Sequence, residues 1–274
     1  MKKILPFLVI ILALVYFLVG NPDKLTDSAR TDADSLPALD ALELPALEAL
    51  ELPAADLPEQ IIQHAGYIVS YNPQLRIPNW VAYELTAEET NGEVERSDTF
   101  LPDPLVKGDP VVTSDYTRSG YDRGHMAPAA DMRWSEQAML ESFYMTNICP
   151  QNHNLNKGDW NDLEIKVRSW ARYFGHVYVC CGPIVAPGYE TIGTYRKIAV
   201  PQAFFKVILA EKNGRYEAIG FIMPNEAGHQ QLSAYAFSID QVELRTGLDF
   251  FPALPDEEEN AIEAAYALDP WRLK

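Results

Sequence analysis

Tyr121-Asp-Arg-Gly-His-Met-Ala-Pro128, followed by Pro150-Gln-Asn-His-Asn-Leu-Asn-Lys-Gly-Asp-Trp-Asn-Asp-Leu-Glu164, is the stretch on which the reading of this chain turns. In the first segment a histidine follows a glycine, an arginine and an aspartate, which presents an imidazole on a tight turn. Imidazole titrates near neutrality, with an unperturbed pKa of ~6.5, so His125 is a candidate base for water. Arg123 adds a permanent cation whose planar fork suits phosphate oxygens. The second segment runs into a helix expected over Leu155–Tyr173, on which Asn156, Trp160 and Glu164 fall at i, i+4 and i+8. That spacing drifts only about 40° per step along one face. Eight helical steps rise about 12 Å, so Asn156 and Glu164 do not readily grip one ion together. One is expected to bind an ion directly and the other through water. An amide oxygen with several waters suits a hard cation such as Mg²⁺.

Outward from this stretch, strands are expected at Tyr67–Tyr71, Trp80–Leu85, Phe143–Cys149, His176–Cys181, Phe204–Ala210 and Tyr216–Met223. They are rich in β-branched and aromatic residues and end in Gly, Pro or Asn. Helices are expected at Ile239–Thr246, with Ser238 and Gln241 in capping-box spacing and Gly247 as a stop, and at Glu257–Ala267. Strands and helices mix without βαβ alternation, which reads as an α+β fold.

The motifs resemble the DNA/RNA non-specific endonuclease family, whose site is the ββα-metal or His-Me finger. The resemblance rests on Asp122-Arg-Gly-His125, Asn147-Ile-Cys-Pro-Gln151 and Leu155-Asn156-(x)3-Trp160-(x)2-Leu163-Glu164. Asn79-Trp-Val-Ala-Tyr83 is similar to an early strand of bacterial members. Arg133-Trp-Ser135, Phe143-Tyr144, Val177-Tyr-Val-Cys180 and Gly182-Pro183 resemble the endonuclease G branch. Phe204-Phe-Lys-Val207 and Thr246-Gly-Leu248 recur in both, and coverage runs from about Gly66 to Pro252.

The resemblance implies a mixed or antiparallel central sheet flanked by helices. It implies hydrolysis of phosphodiester bonds in DNA and RNA to 5′-phosphate and 3′-hydroxyl ends. His125 takes the role of general base, Asn156 of direct Mg²⁺ ligand, and Glu164 of holder of the metal's waters. Arg123 takes the phosphate contact. Arg96, in Glu93-Val-Glu-Arg-Ser97, takes that of a second, transition-state arginine, with Arg118 in reserve. Mn²⁺ is the alternative metal, and a homodimer is implied by the endonuclease G branch. A catalytically silent nucleic-acid-binding module and a toxin-like effector nuclease are the competing readings.

Each residue also has a plainer role. Asn156 alone reads as a helix cap, Glu164 as a solvated helix residue and Trp160 as core. His64, His153, His176 and His229 read as structural. Lys157, Lys166, Arg168 and Arg172 read as a solvated face that could also meet a nucleic-acid backbone.

Composition bounds the rest. The chain has 274 residues, 22 Lys or Arg against 39 Asp or Glu, and a net charge of −17. With 47% hydrophobic residues a packed core forms, and the charge excludes coating of nucleic acid by net charge alone. Residues 59–274 keep 18 bases against 30 acids, yet Arg118–Arg172 carries seven of each. A locally neutral segment in an acidic background suits a substrate cleft with weak non-specific binding. Three cysteines (Cys149, Cys180, Cys181) make no paired framework, and buried thiols are expected.

Lys2 and Lys3 before the apolar run Ile4–Val19 have the grammar of an export signal. Residues 1–20 therefore read as a signal peptide or N-terminal membrane anchor. Exported placement on the periplasmic or extracellular side follows, with membrane contact if the segment stays uncleaved. Residues 21–58 read as an acidic linker, in which Leu36-Pro-Ala-Leu-Asp-Ala-Leu-Glu43 recurs at Leu44 and, decayed, at Leu52. Residues 59–274 read as the endonuclease-like domain.

Overall fold

A computed structural model describes residues 50–273, within a compact unit that begins at Glu48. The expected signal or anchor at 1–20 and the octad repeat up to residue 49 lie outside the described residues. Among the described residues no helix is long and apolar enough to cross a membrane.

The fold is α+β, built on a seven-stranded sheet in the order β1 (Gln60–Gln63), β2 (Ile68–Asn72), β3 (Ile77–Thr86), β6 (His176–Ile184), β9 (Ala203–Glu211), β10 (Tyr216–Pro224), β11 (Ala236–Phe237). Every neighbouring pair in it is antiparallel. A two-stranded hairpin of β4 (Asp122–His125) and β5 (Ile148–Gln151) stands apart, as does the short pair β7 (Thr191–Ile192) and β8 (Ile198–Ala199). Among the described residues the α-helices are α1 (Glu136–Ser142), α2 (His153–Lys157), α3 (Asp159–Phe174), α4 (Ile239–Thr246) and α5 (Asp256–Glu263).

Successive strand residues point to opposite faces, so each central strand feeds two cores. From β3, Val81, Tyr83 and Leu85 join one apolar cluster, while Trp80 and Ala82 join the other. From β9, Phe204 and Ile208 go one way and Phe205, Val207 and Leu209 the other. The first cluster packs under α3 through Trp160, Leu163, Val167 and Trp170. The second packs under α4 through Ile239 and Val242. Leu50, Leu52 and Leu57 also pack into it, and Ala54 forms an antiparallel bridge to Asp249.

The six expected strands hold in five cases. Phe143–Cys149 is the exception: Phe143 closes α1, Met145–Asn147 is one tight helical turn, and the strand starts at Ile148. Asn147 causes this, since its Nδ2 donates to Ser142 O (2.8 Å) and bends the chain back on itself. The helix expected from Leu155 to Tyr173 is two helices with a break at Gly158. A Cβ on Gly158 would come 2.5 Å from Asn154 O, so the corner needs glycine. The helix at Ile239–Thr246 has the expected bounds, with the Ser238/Gln241 capping box and Gly247 left-handed at φ 72°. The last helix stops at Glu263 rather than Ala267.

Candidate active site

β4, β5 and the α2–α3 pair form one continuous ββα unit. Antiparallel pairing sets Asp122 opposite Gln151, Arg123 opposite Pro150, Gly124 opposite Cys149 and His125 opposite Ile148. Gly124 leaves room for the Gln151 side chain, which would collide with any Cβ there. Period-two alternation puts Arg123 and His125 on one face of the hairpin and Asp122 on the other.

The turn after His125 is held by one buried amide. Asn147, fully buried, accepts from Ala127 N through Oδ1 (2.8 Å) and donates to Ala127 O through Nδ2 (2.9 Å). Its backbone oxygen accepts from Met126 N (3.0 Å). From below, Trp160 Nε1 donates to His125 O (3.3 Å). The His125 ring lies between Phe143 (4.8 Å) and Phe100 (5.4 Å). Burial, reinforced by the Arg96 charge, pushes His125 down to about 3, so its imidazole is neutral at physiological pH. Nε2 has no hydrogen-bond partner among the described residues.

Asp122 ties the hairpin to the helix. Its carboxylate accepts from Asn156 Nδ2 (2.9 Å) and meets His153 Nδ1 at 3.0 Å. With Nδ2 so engaged, the Asn156 amide presents Oδ1 away from Asp122. The corner between β5 and α2 is fixed by Asn225, which donates to Pro150 O (3.1 Å) and accepts from Asn152 N (2.7 Å).

A cavity of 440 Å³ opens at this unit, lined by Arg96, His125, Asn156, Asn161, Glu164 and Arg168 among others. Asn161, Glu164 and Arg168 follow one another at i, i+3 and i+7 along the open face of α3. Arg96 enters from a loop clamped to the chain before α1: Val94 N donates to Arg133 O, and Arg133 Nε donates to Val94 O, both at 3.0 Å. Its guanidinium lies 5.1 Å from the Phe143 ring, so one aromatic seats both Arg96 and His125.

Beneath the cavity the charges interlock. Arg168 pairs with buried Asp131 at 2.6 Å, and Tyr83 OH donates to the same carboxylate at 3.0 Å. Lys206, on β9, is 0% exposed, with Nζ 4.6 Å from the Trp160 ring. Burial pushes Glu164 up to about 7 against the pull of Lys206; Asp131 adds to the rise, and Arg168 and Arg96 oppose it.

The structure thus brings His125, Asn156, Glu164 and Arg96 to one cavity. Arg123 lies outside its lining: Nη1 donates to Thr113 Oγ1 (2.9 Å), and the guanidinium sits 4.8 Å from the far partner of His125, the Phe100 ring. Arg118 is elsewhere, at φ 57° on the rim of a separate cavity with Tyr195 and Lys197. Lys157 and Arg168 line the site, whereas Lys166 and Arg172 bond to Arg272 O and Thr90. Trp160 is core. His153 and His229 meet Asp122 and Asp159, and His64 meets buried Asp103. All three cysteines are buried free thiols.

Asn147, Asp122, Asn161 and Lys206 have no role in the sequence reading. All four stood inside stretches it quoted, Lys206 in Phe204-Phe-Lys-Val207. Lys206 had a signal of its own: it is the one base in the otherwise apolar run Ala203–Ala210.

The cavity's donors fit a hard cation. Asn156 Oδ1 and the Glu164 carboxylate are oxygen donors, and Glu164 makes no hydrogen bond among the described residues.

A ββα unit with a histidine on the hairpin and an asparagine on the helix defines a class of metal-dependent nucleases, and comparison with known proteins agrees. Residues 51–257 match the DNA/RNA non-specific endonuclease family, and the chain belongs to that family. It is 39% identical over 214 residues to the mitochondrial nuclease EXOG of Danio rerio, covering 71% of this chain and 62% of that protein. It is 37% identical over 207 residues to mitochondrial endonuclease G of Bos taurus, covering 70% and 69%. A chain in the solved structure of the EndoG/EndoGI complex superimposes with a TM-score of 0.70 at 33% identity, covering 75% of this chain and 90% of that one. The chain therefore spans less than two thirds of the EXOG relative.

These relatives correct the expected localisation. They are mitochondrial proteins, and so are the related nucleases of Saccharomyces cerevisiae and Schizosaccharomyces pombe. They point to mitochondria, not to the periplasmic or extracellular side. A basic start and an apolar run do not by themselves specify a compartment.

Proposed function

We propose that this chain is a metal-dependent, sugar-non-specific endonuclease acting on DNA and RNA and leaving 5′-phosphate and 3′-hydroxyl ends. The observation that carries the reading is the convergence of a neutral imidazole, a turned amide oxygen, a carboxylate and an arginine on one cavity. His125 accepts a proton from the attacking water, a task its depressed pKa keeps it free to perform. Asn147 and Trp160 hold its backbone in place for that transfer. Arg96 offers positive charge to the phosphate as negative charge builds on it. Arg123 grips a neighbouring phosphate on the far side of Phe100. Asn156 and Glu164 hold the cation, Mg²⁺ first and Mn²⁺ second, the one directly and the other through water. A bound cation supplies Lewis-acid stabilisation of the leaving oxygen. The folded body, taking in Leu50, Leu52 and Leu57 of the second core, carries this activity, and residues 21–49 act as an acidic spacer. The names of the relatives support a mitochondrial site of action.

The test is degradation of supercoiled plasmid by the full chain with Mg²⁺, with EDTA, and by His125→Ala with Mg²⁺. Loss of plasmid in the first alone is expected, His125→Ala being slower by about 10²–10⁴-fold. Intact plasmid throughout, with folded protein and with Mn²⁺ also failing, would leave a silent binding module. Cleavage that survives His125→Ala would assign the base to another residue.

A further inference from the structure

The sheet face opposite the candidate active site carries a second group of oxygen donors. Asp240 and Glu243 stand one turn apart on α4, and Glu263 reaches them from the last turn of α5. One carboxylate oxygen of each lies within 4.8 Å of the other two. Glu263 is only 7% exposed, and its Oε1 has no hydrogen-bond partner among the described residues. Glu243 is already oriented, since its Oε1 accepts from Phe250 N at 2.8 Å. No ion pair among the described residues balances any of the three. Burial, with Glu243, Glu259, Asp240 and Asp249 beside it, pushes Glu263 up to about 8.

We propose that Asp240, Glu243 and Glu263 form a second divalent-cation site, separate from the His125 cavity and suited to Ca²⁺. A buried carboxylate without a partner is costly, and three converging ones add mutual repulsion. One cation answers both. All the donors are oxygens, which selects a hard ion. Ca²⁺ takes carboxylate oxygens at about 2.3–2.6 Å in flexible geometry, mono- or bidentate, which suits three carboxylates meeting from two helices. Mg²⁺ demands near-ideal octahedral geometry and keeps several of its waters, so a cluster of carboxylates suits it less. The cation joins α4 to α5 and steadies the Phe250 segment that packs into the second core.

The experiment is calorimetric titration and thermal melting of the full chain with CaCl₂, in the parent and in an Asn156→Ala background. Glu263→Gln is added to each. The Ca²⁺ stoichiometry is expected to fall by one on Glu263→Gln in both backgrounds. In Asn156→Ala, Ca²⁺ at ten times its Kd should raise the melting temperature by about 3 °C, and Glu263→Gln should remove that shift. Without Ca²⁺, Glu263→Gln should melt no lower than its parent at neutral pH, because a carboxyl raised to about 8 is there mostly a neutral acid and glutamine keeps its shape. Unchanged stoichiometry, or a melting shift that persists, overturns the proposal. If Glu263→Gln does melt lower, exposed Asp240→Asn takes its place, and Ca²⁺ affinity left unchanged there overturns the proposal equally. Neither outcome depends on whether the chain cleaves nucleic acid.

Discussion

On one face of the sheet, Asp131 meets Arg168 and Glu164 has Lys206 beneath it; on the other, Asp240, Glu243 and Glu263 converge with no ion pair among the described residues. The same strands serve both faces. β9 sends Lys206 towards the site and Phe205 and Val207 the opposite way, by period-two alternation alone. The sheet is held by its backbone ladder and tolerates what lies on it. The ββα unit is different: a four-residue hairpin and a five-residue helix have few ladder bonds. Side-chain amides and buried charges hold it in shape.

The contrast breaks most decisively at Asn147. Asn147→Ala leaves Ala127 N and O unpartnered in a buried turn. We expect a stability loss of about 3 kcal/mol by urea titration and at least about a 100-fold fall in plasmid cleavage. If cleavage survives intact, side-chain bonds do not set the His125 turn, and the distinction between ladder and clamp fails.

Lys206→Met sharpens the charge half of the comparison. The apolar volume is nearly kept, while the cation under Glu164 goes. Lys206 holds Glu164 down, so its removal raises Glu164 further above 7. The acid limb of the cleavage profile should then move to higher pH, with kcat at pH 7 lower by about tenfold and KM within about twofold. A uniform loss at every pH would reduce Lys206 to packing.

A third consequence is for acid stability. His125 is depressed from an ordinary value near 6.5 to about 3 in the fold. A depressed group contributes stability that is present above the unfolded pKa and lost as pH falls through the folded one. Between pH 6.5 and 3 the parent should lose more stability than His125→Asn. The gap should be about 2.7 kcal/mol at pH 4.5, read from urea midpoints at pH 7.5 and 4.5.

The two regions also differed in how they could be read. β3, β6, β9 and β10 were legible because long apolar, β-branched runs have no other use, and α4 because its cap residues are local. The motif residues His125, Asn156 and Glu164 stood out by type and spacing, and they do face one cavity. Phe143–Cys149 misled because its aromatic composition suits a strand while Asn147 bends it into a turn. The helix break was missed although Gly158 sits at it, since a glycine inside a helical pattern is tolerated as often as it breaks one.

What the amino-acid order determined by itself was the α+β class, the family motifs and the identity of the groups able to do chemistry. Periodicity and side-chain type are local, and they survive without knowledge of any neighbour. What only the tertiary structure decided was company. Folding placed Arg96 and His125 on the same Phe143 ring and Arg123 beyond Phe100, with Lys206 under Glu164 and Glu263 beside Asp240 and Glu243. Those contacts join residues far apart in the chain. Their pKa values and unpartnered atoms follow from burial and distance, which no local pattern records.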